Sequence, residues 1–324
     1  MAKALLIISQ RVDDLAFAKS VAQTAGLVLL TADSVEAGVG LIAQEKASVI
    51  FLDASTEKQY KEFEAQLSDQ VGLFSDKINA NAIHFINADG LEAVEYLVKS
   101  PLFGHYLLRN YGDPTVAGAH YGRIVKATLI DRAFGLENLL KPGAKIQKIK
   151  LQTASQKQQA VDAVKGYLIA AKYQNRMATV IANAVDELLM NSIFDAPVDN
   201  LGKQLLVSTS RSTDFPLEGK SQVELHVGYD GDYAALTAID SFGSLDKNKL
   251  LAHISKIYKE EEYRVRTSVA GAGIGLATVF KSGGSFFFVS EKSVKTEVTV
   301  FFKRMDTYRE FRDQFRFLST QFYF

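Results

Sequence analysis

The sequence predicts an α/β protein in two parts: an N-terminal doubly wound parallel sheet, then a second α/β domain. Three observations carry this. The chain has 324 residues, 47% of them hydrophobic, which is more than one ordinary core organises. Over the first 140 residues, short apolar runs alternate with amphipathic stretches, the pattern of parallel strands joined by right-handed helical crossovers. From residue 146 the order changes to strand, helix, helix and then strands.

Each element has its own signal. "KALLII" reads as a strand, and "DDLAFAKSVAQTAG" as a helix capped by Asp13 or Asp14 and ended by Gly26. "LVLLT" is a strand and "SVEAGVGLIAQE" a helix. "ASVIFLD" is an apolar strand ending at Asp53, "YKEFEAQLSDQVGLF" a helix, and "AIHFIN" a strand ending at Asn87. Continuous apolar strands imply a sheet covered on both faces. Function in such sheets gathers at the carboxyl ends of strands, where Asp53 and Asn87 stand. Residues 101–145 are dense in turn chemistry: "YGDP" is a turn, "PTVAGAHYGRIVKATLIDRAF" a helix, and Pro142–Gly143 a boundary. The expected division is 1–140, 141–305 and an aromatic segment at 306–324.

In the second domain "IQKIKL" is a strand, followed by helices "SQKQQAVDAVKGYLIAAK" and "NRMATVIANAVDELLMNSIF". Strands are expected at "KQLLVSTSRS", "SQVELHVGYD" and "YAALTAID", the last ending at Asp240. A charged stretch, "GAGIGLATVFKSGG" and the hairpin "SFFFVSEKSVKTEVTVFF" complete it. Glu187 and Asn191, four apart on one helix face, offer a carboxylate and a carboxamide that can hold a cation or aim a water. A solvated helix face looks the same in isolation. Phe311, Phe315, Phe317 and Phe322 either dock on the protein's own sheet or form a protein-binding or dimerising segment.

Composition narrows the function classes. The 37 basic and 37 acidic residues give no basic face for nucleic acid. Without cysteine there is no thiol nucleophile, disulfide or cysteine-ligated metal. No apolar stretch approaches the roughly 18 residues that span a bilayer, and the opening apolar run is too short for a leader. The expectation is a cytoplasmic protein.

Two resemblances follow from these residues. The first domain resembles bacterial response-regulator receivers, with Asp53 where those carry the phosphoacceptor. It departs from them at Ser9 and Gln10, which replace the acidic metal-binding pair. Asp13 and Asp14 come too late, Asn87 stands for a hydroxyl residue, and Arg109 lies near the expected lysine. That implies a pseudoreceiver without phosphotransfer, in which Asp53 is either a residual acceptor or a strand-end acid capping the next loop.

The stretch 146–303 resembles the GHKL ATPases: sensor histidine kinases, anti-sigma-factor serine kinases, gyrase and the mismatch-repair ATPases. The resemblance rests on a helix acid plus asparagine, a strand-end aspartate, and a Gly-x-Gly-x-Gly-Leu run, in that order. It implies a two-layer Bergerat-type sandwich binding ATP or ADP with Mg²⁺. Asn191 would hold the metal, Glu187 would orient or deprotonate the nucleophile, and Asp240 would accept from the adenine amine. Gly271, Gly273 and Gly275 would cradle the phosphates, Gly243 is the glycine that remains after the aspartate, and Thr296 would flank the adenine. Phe242, where the family has glycine, threatens to narrow the pocket, and Asp195 replaces a basic side chain. Residues 246–270 match a mobile lid, in which Arg264 and Arg266 either clamp phosphate or belong to a solvated charged face. No histidine has a phosphoacceptor setting, so the resemblance points to the anti-sigma or serine-kinase branch. Its implied partner is a sigma factor, an antagonist or another signalling protein, with a homodimer possible. It leaves open whether ATP is turned over, only bound, or whether the site is vestigial in a scaffold.

Overall fold

Five parallel strands in the order β2-β1-β3-β4-β5 form the sheet of the first unit in this computed structural model. The structure describes residues 3–44, 47–71, 79–90, 93–251, 254 and 279–323. The protein is mixed α/β and divides into two compact units. One comprises Met1–Ala133 with Phe315–Thr320, the other Phe134–Gln314 with Gln321–Phe324. No helix among the described residues is long and apolar enough to cross a membrane.

The first unit runs β1 (Ala4–Ile8), α1 (Val12–Ala25), β2 (Val28–Ala32), α2 (Val35–Ala43), β3 (Val49–Asp53), α3 (Glu57–Val71), β4 (Ile83–Asn87), α4 (Glu95–Val98), β5 (His105–Leu108) and α5 (Pro114–Leu129). With β1 inside the sheet, right-handed crossovers send the chain in opposite directions from it and put α1 and α5 on one face. They pack together there, while α2 packs on α3. Gly118 permits the close α1–α5 approach, because a Cβ there would stand 2.6 Å from the Phe17 carbonyl oxygen. Asp113 caps α5 by accepting from the Thr115 and Val116 N–H groups.

Four expectations are corrected. Arg11, not an aspartate, precedes α1, and Asp13 and Asp14 lie in its first turn. The turn-rich 101–113 stretch contains β5, a fully buried four-residue strand. The helix after Pro114 stops at Leu129, and the chain reverses through Asp131 at φ 54°. "KQLLVSTSRS" forms turns with one isolated bridge, Val198 to Gln204, leaving Leu205 and Val207 exposed. Its apolar positions find no sheet to cover, so strand propensity has nothing to act on.

The aromatic C-terminal stretch is internal structure. Phe315 and Phe317 return to the first unit, packing against Phe17 and Tyr121. They lead into β11 (Phe317–Tyr323), whose first residues pair antiparallel with β5. Phe311, in a short helix at Tyr308–Arg312, stacks on Phe302 in the second unit.

The second unit contains β6 (Lys145–Leu151), α6 (Lys157–Ala170), α7 (Asn175–Met190), β7 (Val223–Tyr229), β8 (Tyr233–Asp240), β9 (Ser285–Glu291) and β10 (Lys295–Lys303). The strands form an antiparallel order β9-β10-β8-β7-β6. α7 lies against β8 and β10 and packs on α6. Lysines at 145, 148 and 150 mark β6, charges that discourage a further strand from pairing there.

Candidate functional site

The strand-end acid is the centre of the second unit's cavity. Asp240, the last residue of β8, is 5% exposed and borders a cavity together with Asn191, Ser192, Asp195, Lys249, Phe288 and Thr296. Burial pushes its carboxyl up to about 6, although the Phe242 and Gly243 N–H groups and the Thr296 hydroxyl all donate to it. The Phe242 contact is 2.9 Å. Thr296 sits directly opposite Asp240 on β10 and opposite Ser290 on β9, and its hydroxyl lies 3.3 Å from the Ser290 Oγ. A buried acid held by donors, and facing open space on its remaining side, can accept a further donor from a ligand.

Gly243 is fixed by sterics. Its φ is +57°, and a Cβ there would stand 2.0 Å from the Glu291 carbonyl oxygen in the β9–β10 turn. Its own carbonyl accepts from the Ser293 N–H at 3.2 Å. Gly243→Ala is expected to lower stability by more than about 2 kcal/mol, through left-handed strain plus displacement of the hairpin turn. Thermal denaturation checks this, and an unchanged midpoint would mean that the turn yields freely.

Asn191 ends α7, where the helix widens into a π-turn over Asn191–Asp195. Such widenings often occur at functional positions. Its side chain makes no hydrogen bond among the described residues and borders the Asp240 cavity. Glu187, one turn earlier, does not border it. Burial raises the Glu187 carboxyl above its ordinary value and the neighbouring Asp186 charge adds to this, against Arg211 and Lys157. Lys157 is ion-paired with Asp186. The two residues expected to obstruct the pocket can both be placed. Phe242 does not border the cavity, and its ring lies under the Lys220 ammonium at 5.4 Å. Asp195 does border it, with its charge met by Arg211 at 3.5 Å. Gly271, Gly273, Gly275, Arg264 and Arg266 lie outside the described residues.

Lys249, Phe288 and Ser192 join this cavity without having been singled out from the sequence. Lys249 donates to the Ser244 carbonyl at 2.7 Å, and Ser244 in turn donates to Ala196 at 2.8 Å. Phe288 was legible only as one apolar residue among several in β9. Its place follows from its register opposite Val298.

The first unit holds a second polar cluster. Arg109 donates to both oxygens of Asp14, each at 2.9 Å, to Asp53 at 2.6 Å and to the Ser55 hydroxyl at 2.7 Å. Asp14 is fully buried and also accepts from Ser9 at 2.7 Å and Tyr111 at 2.9 Å. Asp14 thus lies within the helix, as its position implies, and its charge is met by Arg109. Burial raises the Asp53 carboxyl, but hydrogen bonds from Ser55 and Arg109 and the charges of Arg109 and Arg11 outweigh this and leave it below its ordinary value. Asn87 instead braces the loop, donating to the Ala54 carbonyl at 2.6 Å. Among the described residues no cluster of three or more His, Cys, Asp or Glu could hold a metal ion.

Compared with protein-family models and with curated proteins, the chain matches none.

Proposed function

We propose that the second unit binds ATP or ADP with Mg²⁺ in a Bergerat-type cleft, and that the chain is a cytoplasmic bacterial signalling regulator of anti-sigma or serine-kinase character. The observation that carries this reading is Asp240: an acid kept buried above its ordinary pKa, at a cavity bordered by Thr296 and Asn191. Buried acids with shifted pKa values gather at functional sites. A carboxylate there accepts from the adenine amine and opposes the guanine carbonyl. Asn191, its carboxamide uncommitted, suits a hard cation that keeps most of its waters. Glu187 has the raised basicity that a general base needs. It lies one helical turn before Asn191 and does not itself border the cavity, so in this reading it acts through an intervening water.

The first unit reads as a pseudoreceiver. Where phosphotransfer needs a divalent cation between carboxylates, the Arg109 guanidinium already fills the charge role between Asp14 and Asp53. The partner in this reading is a protein: a sigma factor, its antagonist or a second copy of the chain. The balanced charge favours neither nucleic acid nor an anionic surface.

The test is a thermal-shift titration with Mg-ATP, Mg-ADP and Mg-GTP. The adenine nucleotides are expected to stabilise by about 2.7 kcal/mol at a concentration near 100 times Kd, and GTP far less. No shift with either adenine nucleotide leaves the scaffold reading. Glu187→Gln then separates binding from turnover: affinity holds while any hydrolysis falls.

A further inference from the structure

Asp240, Thr296 and Ser290 form one transverse row of polar side chains across the second unit's sheet. Thr296 lies directly opposite Asp240 on β8 and directly opposite Ser290 on β9. Residues so paired project from the same face, with Cβ atoms about 5 Å apart. All three are buried, Ser290 at 1% exposed, and the row ends in apolar Val223, opposite Asp240 on β7. Asp240 and Thr296 border the cavity, whereas Ser290 stands behind them and does not.

The hydrogens along this row have one direction. A hydroxyl carries a single hydrogen, and that of Thr296 goes to Asp240. The Ser290 Oγ lies 3.3 Å from the Thr296 Oγ1, so Ser290 is the donor between them. A hydroxyl that accepts becomes a better donor, so Ser290 strengthens the hold of Thr296 on Asp240. With its hydrogen committed and one lone pair filled, Thr296 turns only an acceptor toward the cavity, beside the acceptor Asp240. The charged groups on the same wall, among the described residues, are Asp195, met by Arg211, and Lys249, which donates to the Ser244 carbonyl.

We propose that Ser290 is a specificity-determining positioning residue. Acting through Thr296, it makes this corner of the cleft accept hydrogens only, and so selects a purine bearing adenine's amino group over one with a carbonyl in its place. The oxo purine sets its oxygen against two acceptors. Once released from Ser290, the Thr296 hydroxyl can swing to that oxygen and relax the choice. The inference rests on the nucleotide reading above and adds to it a residue outside the cavity wall.

The experiment measures calorimetric affinities for Mg-ADP and for Mg-bound inosine diphosphate, which carries a carbonyl where ADP carries the amine. It uses the full chain, Ser290→Ala, Thr296→Val and the double variant, with melts to confirm folding. The preference for ADP is expected to fall about threefold or more in Ser290→Ala, the worth of a modest hydrogen bond. In the Thr296→Val background Ser290→Ala is expected to add nothing, because its only route is through Thr296. Should Ser290→Ala not fold, Ser290→Cys, close in size and a weak donor, repeats the comparison. An unchanged preference, or losses that add in the double variant, overturns the proposal. A nucleotide-free readout accompanies these: the Asp240 carboxyl, followed by its carbon NMR shift, is expected to titrate at higher pH in Ser290→Ala than in the parent. An unmoved titration overturns the row. Failure of the parent to bind either nucleotide sinks the nucleotide reading and the purine choice with it, and the carboxyl titration then decides the row by itself.

Discussion

Asp240→Asn is expected to stabilise the ligand-free protein at neutral pH while weakening adenine-nucleotide binding. The native carboxyl titrates at about 6 against an ordinary 3.8. Above pH 6 the acid is ionised in both folded and unfolded chains, and the folded state bears the full penalty of a buried charge. Between 6 and 3.8 the folded state takes up a proton that the unfolded state does not, so the penalty fades as pH falls. Asparagine keeps the carbonyl that accepts from Phe242 and Gly243 without the charge. The gain is therefore up to about 3 kcal/mol above pH 6, or several degrees in midpoint, shrinking steadily toward the ordinary carboxylate range. Binding is expected to weaken by about tenfold to a hundredfold, the worth of a hydrogen bond to a charged acceptor. Melts across the pH range, paired with calorimetric titration of Mg-ADP, read both. A variant no more stable than the parent, or a gain that ignores pH, would remove the main support for a ligand-directed acid.

The second large effect lies in the first unit. Arg109→Met strips the buried cation from two carboxylates, Asp14, which is fully buried, and Asp53, which keeps only the exposed Arg11. Removing one partner of a buried ion pair leaves an uncompensated charge, so a loss of about 3–5 kcal/mol is expected. Arg109→Lys recovers only part, since one ammonium cannot span both acids in the fork geometry that a guanidinium supplies. Adding Asp14→Asn to Arg109→Met is expected to restore more than it costs, because the stranded charge goes with it. Hydrogen exchange of β1 and β3 amides reports this unit separately. A single variant as protected as the parent would show that the cluster is surface decoration.

The two polar clusters differ in how much of them could be read beforehand. Strands β1, β3, β4, β8, β9 and β10 announced themselves as apolar runs with clear ends, and Asp240 could be placed at a strand terminus directly. Asn191 was likewise visible from its spacing to Glu187. That the pair diverges, with only Asn191 bordering the cavity, depends on the helix widening at residue 191, which no spacing rule encodes. Gly243 was visible as a glycine, but its reason, a carbonyl in the β9–β10 turn, lies 48 residues on. β5 stayed hidden because four residues between turn-formers carry too little periodicity, and the 203–212 stretch misled because strand propensity needs a neighbouring strand. Asp14 and Arg109 are 95 residues apart and meet only once α1 and the end of β5 are in place. Ionic partners at that separation leave no local trace.

The return of Phe315–Thr320 to the first unit has a bearing on biosynthesis. A nascent chain emerging from the ribosome has delivered β1 to β5 long before the aromatic pair Phe315 and Phe317 that seals Phe17 and Tyr121, and long before the antiparallel partner of β5. Until Phe315–Thr320 has been made, the first unit therefore presents an open β5 edge and an unfilled aromatic hollow, a window for chaperones that closes only when this stretch folds back.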